Sequence, residues 1–262
     1  MTTMLMTREE IAKKAPAIYG TKPSDWMSDK YDFVSTADMI DKLAKFNWYP
    51  HRVDQQRTQT KVIERLPFKR HIVRFQNPNL QQDVDNIPEV VMVNSHDGST
   101  PFKFYLGIYR LVCTNGLTIA KAEFGRISFK HIGFGDDDIK VLLYGILGNA
   151  EHTFGEIANM KNILLPENDR IEFAKEAIKV RWGEKSGMDA GNLLVPRREE
   201  DKGNDLWHTY NVIQENVMKG GVEYRAENDK VRHTKVMRNI SEDIRFNMGL
   251  WQMVEKRLKE VN

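Results

Sequence analysis

One cysteine, Cys113, is the whole thiol content of this 262-residue chain. A single thiol excludes an internal disulfide and any zinc site built from several cysteines, and a reducing, cytoplasmic setting is expected. No stretch approaches the ~18 consecutive apolar residues that a membrane span needs, so no membrane partner is expected. No apolar run follows a basic head near Met1, and no signal peptide is expected. An excess of one charge is also missing. The net charge is +2, so any charged partner must be read from local clusters. Internal repeats and low-complexity tracts are absent. So are the phosphate loop G-x-x-x-x-G-K-[ST], a strand–turn–helix G-x-G-x-x-G, the G-x-S-x-G elbow and an H-x-x-x-H pair. His71, His96, His131, His152, His208 and His233 are dispersed without ligand spacing. Neither a metal nor a cofactor is expected.

What is present suffices for a folded core: 40% hydrophobic and 29% charged residues. Residues 1–30 read as an arm with one short helix from Thr7 to Ala15, where Thr7 and Glu10 have capping-box spacing. Thr36 to Phe46 is a helix with Met39, Ile40, Leu43 and Phe46 on one stripe and Thr36 as N-cap. From about 52 to 132 the pattern is short strands without intervening helices: Thr58–Ile63, Lys69–Phe75, Glu89–Asn94, Phe102–Val112, Leu117–Ala120 and Arg126–Ile132. Asp97-Gly98 and Asn115-Gly116 are turn dipeptides. From Asp136 the period becomes helical. Helices are expected from Asp136 to about Met160, from Asn168 or Asp169 to Trp182, from Asn204 to Lys219, and from Ser241 to Glu260. Residues 183–203 read as a loop, and 222–239 as a basic connector. Strands followed by helices predict an α+β fold: an antiparallel meander of about five strands with helices packed on one face. Residues 31–262 are expected to form one domain, strand-rich over 52–132 and helix-rich over 136–260.

The strongest chemical signal is charge. Residues 51–75 carry Arg52, Arg57, Lys61, Arg65, Lys69, Arg70 and Arg74 against Asp54 and Glu64, a local net charge of +5. Phe68, His71 and Phe75 are interleaved with them. Cations neutralise phosphates and rings stack on bases, so this stretch suits a single-stranded nucleic acid. A second basic stretch holds Arg225, Lys230, Arg232 and Lys235, with Lys219, His233 and Arg238 nearby. Cations also protect strand edges from pairing; nucleic-acid binding is the better reading if the two stretches share one surface, and edge protection is the better one if they lie apart.

Asn94-Ser95-His96-Asp97-Gly98 places a histidine beside a carboxylate. Its side chains either bond the turn backbone or, with Arg110, serve a hydrolytic or nucleotide-processing site. Arg110 interrupts an apolar strand and so faces solvent, pairs with an acid such as Glu89 or Asp97, or lines a site. Cys113 reads as a small buried hydrophobe. Glu215 and Asn216 either cap neighbouring backbone or lie near a site with Arg197 and Arg198.

Three blocks, NSHDGS at Asn94–Ser99, GIYRLVCTNGL at Gly107–Leu117 and LWHTYNVIQENVMKGG at Leu206–Gly221, resemble a phage- and plasmid-borne family, the domain of unknown function numbered nine-three-two. RHIVRF at Arg70–Phe75 and PEVVMVN at Pro88–Asn94 also fit, so the resemblance runs from about Thr36 to Trp251. It implies a role on a mobile element. A strand meander followed by helices is similar, at fold level only, to single-strand annealing proteins of phage recombination. The expected partner is nucleic acid, single-stranded DNA first, bound by a homo-oligomer. A host protein held at the 94–99 tip is the rival expectation.

Overall fold

The computed structural model describes residues 5–56, 60–80, 86–110, 116–119, 135–183, 187–226 and 228–261, with backbone alone for 60–62, 116–119 and 261. Its contacts cluster into two compact units, Met1–Ala150 and Glu151–Asn262.

The first unit is built on five strands: β1 (Tyr49–Gln55), β2 (His71–Gln76), β3 (Asn86–Asn94), β4 (Lys103–Arg110) and β5 (Gly116–Ile119). Their order is β1-β2-β3-β4-β5, antiparallel throughout. This is the expected meander and α+β class. The predicted Thr58–Ile63 strand is replaced, over its described part, by a 3-10 segment, Thr60–Phe68, with Pro67 inside it. β1 takes its place in the sheet. Its sequence, YPHRVDQ, lacks strand alternation, and Pro50 sits at a register shift between Pro50 and Arg52. Both features are tolerated because β1 is an edge strand. The predicted Arg126–Ile132 strand, the Asn115 turn and Cys113 lie outside the described residues.

Helix α1 (Arg8–Lys14) has the capping box that Thr7 and Glu10 predict, with Glu10 N–H on the Thr7 hydroxyl at 3.2 Å and Thr7 N–H on the Glu10 carboxylate at 2.8 Å. Helix α2 (Thr36–Ala44) is capped by Ser35, not by Thr36. Thr36 is fully buried and has another use, described below. Trp48, Leu43, Ile11, Ile18, Phe75, Met92, Phe104 and Ile108 fill this unit's core.

Four more helices follow α3 (Asp136–Asn162): α4 (Glu167–Trp182), α5 (Ala190–Leu193), α6 (Leu206–Lys219) and α7 (Ile240–Val261). In the second unit, α6 is buried along most of its length, and α4, α5 and α7 each contact it. Trp207 and Tyr210 stack with centroids 5.8 Å apart, and Trp251 of α7 meets Tyr210 edge-on at 6.0 Å. Arg257 ties α7 to α4 through Glu176 at 2.9 and 3.1 Å.

The stretch 222–239 is more than a connector. It contains a hairpin, β6 (Glu223–Arg225) with β7 (Val231–His233), turned through Asp229 at φ 58°. Gly220 also has positive φ, at 66°, and a Cβ there would meet the Lys235 carbonyl carbon at 2.5 Å. Glycine is therefore required where α6 stops and the hairpin's return strand passes. No helix among the described residues is long and apolar enough to cross a membrane.

Candidate functional site

The basic face expected over 51–75 is not a face. β2 lies between β1 and β3, and all six of its residues are buried. Arg74 is 3% exposed and bonds the Glu89 carboxylate at 2.9 Å. Glu89 is wholly buried, and His51 binds its other oxygen. The register shift after Pro50 falls at His51, which reaches the Glu89 carboxylate with its ring 5.1 Å from Tyr109. Burial alone would raise the Glu89 carboxyl, but the His51 hydrogen bond and the Arg74 charge override it and hold it below its ordinary value. Arg74 is thus an internal counterion and not a phosphate ligand. His71 and Phe75 are fully buried and cannot stack on a base. The physical cause is in KRHIVRF itself: Ile72, Val73 and Phe75 put apolar groups on both faces, which suits a strand covered on both sides.

Arg65 is exposed, with its guanidinium 5.2 Å from the Trp26 ring centroid; the other described cations and rings of this stretch are only partly available. Arg52 pairs with Asp54 at 3.2 Å on the edge strand. Lys69 and Arg70 are half-buried, and Arg70 donates to the Ser99 carbonyl at 2.7 Å. Half-buried Phe68 meets the exposed Trp26 edge-on at 5.9 Å. Arg57 and the side chain of Lys61 lie outside the described residues.

The His96-Asp97 tip is a turn held by its own side chains. Asp97 accepts the Ser99 N–H at 3.0 Å, and the Ser95 hydroxyl bridges Thr100 N–H (2.9 Å) and C=O (3.0 Å). Gly98 has φ 69°. His96 is buried and gives Nδ1–H to the Pro67 carbonyl at 3.2 Å. His71 gives Nδ1–H to the Lys69 carbonyl at 2.9 Å, so its neutral Nε2 accepts the Thr36 hydroxyl at 2.7 Å. Asn94 in turn donates to Thr36 at 2.9 Å. Burial pushes His71 down to about 3 and lowers His96 as well. Thr36 thus links α2 to polar groups of both β2 and β3. His96 does meet His71 edge-on, with ring centroids 5.1 Å apart, but both rings are buried and each commits its Nδ1 to a backbone carbonyl, while Asp97 is committed to the turn. Arg110 is buried at 6% exposure opposite Asn86, so it does not face solvent.

The second basic stretch behaves differently. Arg225, Lys230, Arg232, His233, Lys235 and Arg238 are all exposed. The hairpin is anchored on one side, where Arg225 N–H meets the Gly187 carbonyl at 3.1 Å and Asn192 donates to the Glu223 carbonyl at 3.1 Å. Beside it opens a cleft of about 1170 Å³. Arg181, Arg225, Arg232, Lys235 and Arg238 border it together with His233, Trp182, Met188 and Tyr224. Among the described residues that border it, Glu242 is the one carboxylate, and it binds Arg181 at 3.0 Å. Helix chemistry explains both partners. Arg181 lies in the last turn of α4 and Glu242 in the first turn of α7, where each complements the helix dipole. Arg225 is partly neutralised by Asp229 at 3.0 Å, whereas Lys230 lies next to the turn. Sequence reasoning places Trp182 inward at the end of its helix and singles out neither Arg181 nor Tyr224. A cation and an aromatic in the last turn of a helix, just before Gly183, are the available signal.

The Glu215 alternatives resolve as structure. Arg198 and Lys219 both bind the buried Glu215, and Arg197 binds Asn216 and the Gly220 carbonyl. Asn216 donates to the Leu193 and Val195 carbonyls at 2.9 Å each. These bonds fasten the 193–201 strap to α6, close to where the hairpin begins.

The chain is 31% identical over 257 residues to UPF0380 protein YfjQ of Escherichia coli (strain K12), covering 98% of this chain and 93% of that protein. It is 30% identical over 257 residues to UPF0380 protein YafZ of the same organism, with the same coverage. No solved structure matches it. The model of the family described as domain of unknown function (DUF932) matches residues 24–251, and the chain belongs to that family.

Proposed function

We propose that this protein binds nucleic acid, single-stranded DNA in preference, through the cationic cleft of its second unit. The observation that supports this reading is the cluster of Arg181, Arg225, Arg232, Lys235 and Arg238 around an open cleft, with Glu242 the one carboxylate among the described residues that border it. Exposed cations that converge on a concavity attract a polyanion and release its counterions. The same number of cations dispersed on a convex surface would have no such focus. The buried arginine of β2 has no part in the contact, so binding does not depend on the first basic stretch as a whole. The resemblance to a phage- and plasmid-borne family supports a role in recombination or replication of a mobile element, in a bacterial cytoplasm. A homo-oligomer would align several clefts along one strand.

Fluorescence-anisotropy titration of the full chain with a labelled oligonucleotide, at several salt concentrations, tests this. Binding should weaken steeply with salt. Replacing Arg232 or Lys235 by Ala should reduce the slope of log affinity against log salt by about 0.7 for each single-strand phosphate no longer neutralised. Absence of binding at low salt, or a slope indifferent to both substitutions, would remove the proposal.

A further inference from the structure

We infer that Trp182 and Tyr224 are base-stacking residues, so that the cleft holds unpaired nucleobases as well as their phosphates. This rests on the nucleic-acid reading above and deepens it. Both rings border the cleft and both are half-buried. Each is therefore anchored in the unit while keeping part of its surface on open space. Each also has a cation beside it. The Arg181 guanidinium lies 5.6 Å from the Trp182 centroid, and Arg232 is directly opposite Tyr224 in the β6–β7 register. A nucleotide presents a flat ring and a phosphate side by side, and a ring next to a guanidinium matches both parts. The cleft volume of about 1170 Å³ exceeds the ~300–1,000 Å³ typical of small-ligand pockets. It suits a run of nucleotides better than one free nucleotide. In a duplex the base faces already cover one another, so stacking on these rings requires unpaired bases.

The test separates base recognition from charge. The full chain is titrated with oligothymidylate and with an abasic strand of equal length, which has the same phosphates and no rings. Oligothymidylate should bind more tightly, and Trp182→Ala or Tyr224→Ala should each weaken it by about 5- to 100-fold while leaving the abasic strand unchanged. Trp182→Phe and Tyr224→Phe should restore most of the difference. Arg232→Ala should weaken both strands. Circular dichroism and thermal melting report whether each variant folds; if Trp182→Ala does not, Tyr224→Ala carries the comparison. Equal binding of both strands by the unmodified chain would overturn this inference and leave the nucleic-acid reading intact. Binding of neither at low salt would overturn both.

Discussion

Two basic segments of one chain meet opposite fates. In β2, Arg74 lies inside the protein and neutralises Glu89; in the β6–β7 hairpin, Arg232 and Arg225 lie outside. Charge per residue does not distinguish them. Their apolar neighbours and their position in a sheet do. β2 has strands on both sides and large apolar groups on both faces. β7 is one of two short strands, and every residue in it is exposed, Val231 included. A cation in the first setting supports the fold, and a cation in the second is available to a partner.

The sharpest way to break this comparison is to remove one member of each set. Glu89→Ala would take the carboxylate away from the buried Arg74 guanidinium, and should cost about 3–5 kcal/mol in denaturant unfolding. An effect below about 1 kcal/mol, the range of exposed pairs, would mean that the Arg74–Glu89 pair is open to water, and the contrast would collapse.

Acid provides the next largest effect. The folded state holds His71 neutral to about pH 3, against an ordinary value of 6.5. As pH falls below 6.5 the unfolded chain takes up this proton first. Stability therefore falls between 6.5 and about 3, by roughly 3 kcal/mol at pH 4. His96, also lowered, acts in the same sense. Glu89 adds to the loss only below 4.5, its ordinary value, because its folded value is depressed and its contribution is present above that point. His71→Asn should flatten the pH dependence of unfolding between 4 and 6.5, whereas Arg232→Ala should leave it unaltered.

A smaller effect is expected at Gly107, which faces Glu89 across the β3–β4 ladder. A Cβ there would meet the Glu89 carboxylate at 2.9 Å and the Val91 side chain at 2.7 Å. Gly107→Ala should therefore lower stability by about 1–3 kcal/mol, visible as a lower melting temperature. Smallest of all is the stability change on replacing Arg232 and Lys235 by Ala. It should stay within about 0.5 kcal/mol for each, although the same variants are expected to lose oligonucleotide affinity if the proposed binding holds.

Much of the architecture is legible in local pattern. The capping box at Thr7, the stripe of α7, the Gly220-Gly221 stop and the Asp97-Gly98 turn each follow from short-range chemistry. Two things are not. β1 is hidden because Pro50 and its polar neighbours mask its alternation, and only a vacant edge of the sheet makes such a strand acceptable. The cleft is hidden because it joins the end of α4, the hairpin and the start of α7, which lie far apart in the chain. Thr36 illustrates the same limit on a smaller scale. Its type suits an N-cap, and Ser35 next to it suits one equally; the presence of His71 across the core decides which residue caps and which turns inward.

Local sequence thus settled the long helices and the inner strands β2, β3 and β4, because backbone preference and side-chain periodicity act over a few residues. The folded chain alone decided which cations are buried counterions and which stay exposed. Burial belongs to an assembled core: a guanidinium is hidden or exposed according to what residues distant in sequence pack around it.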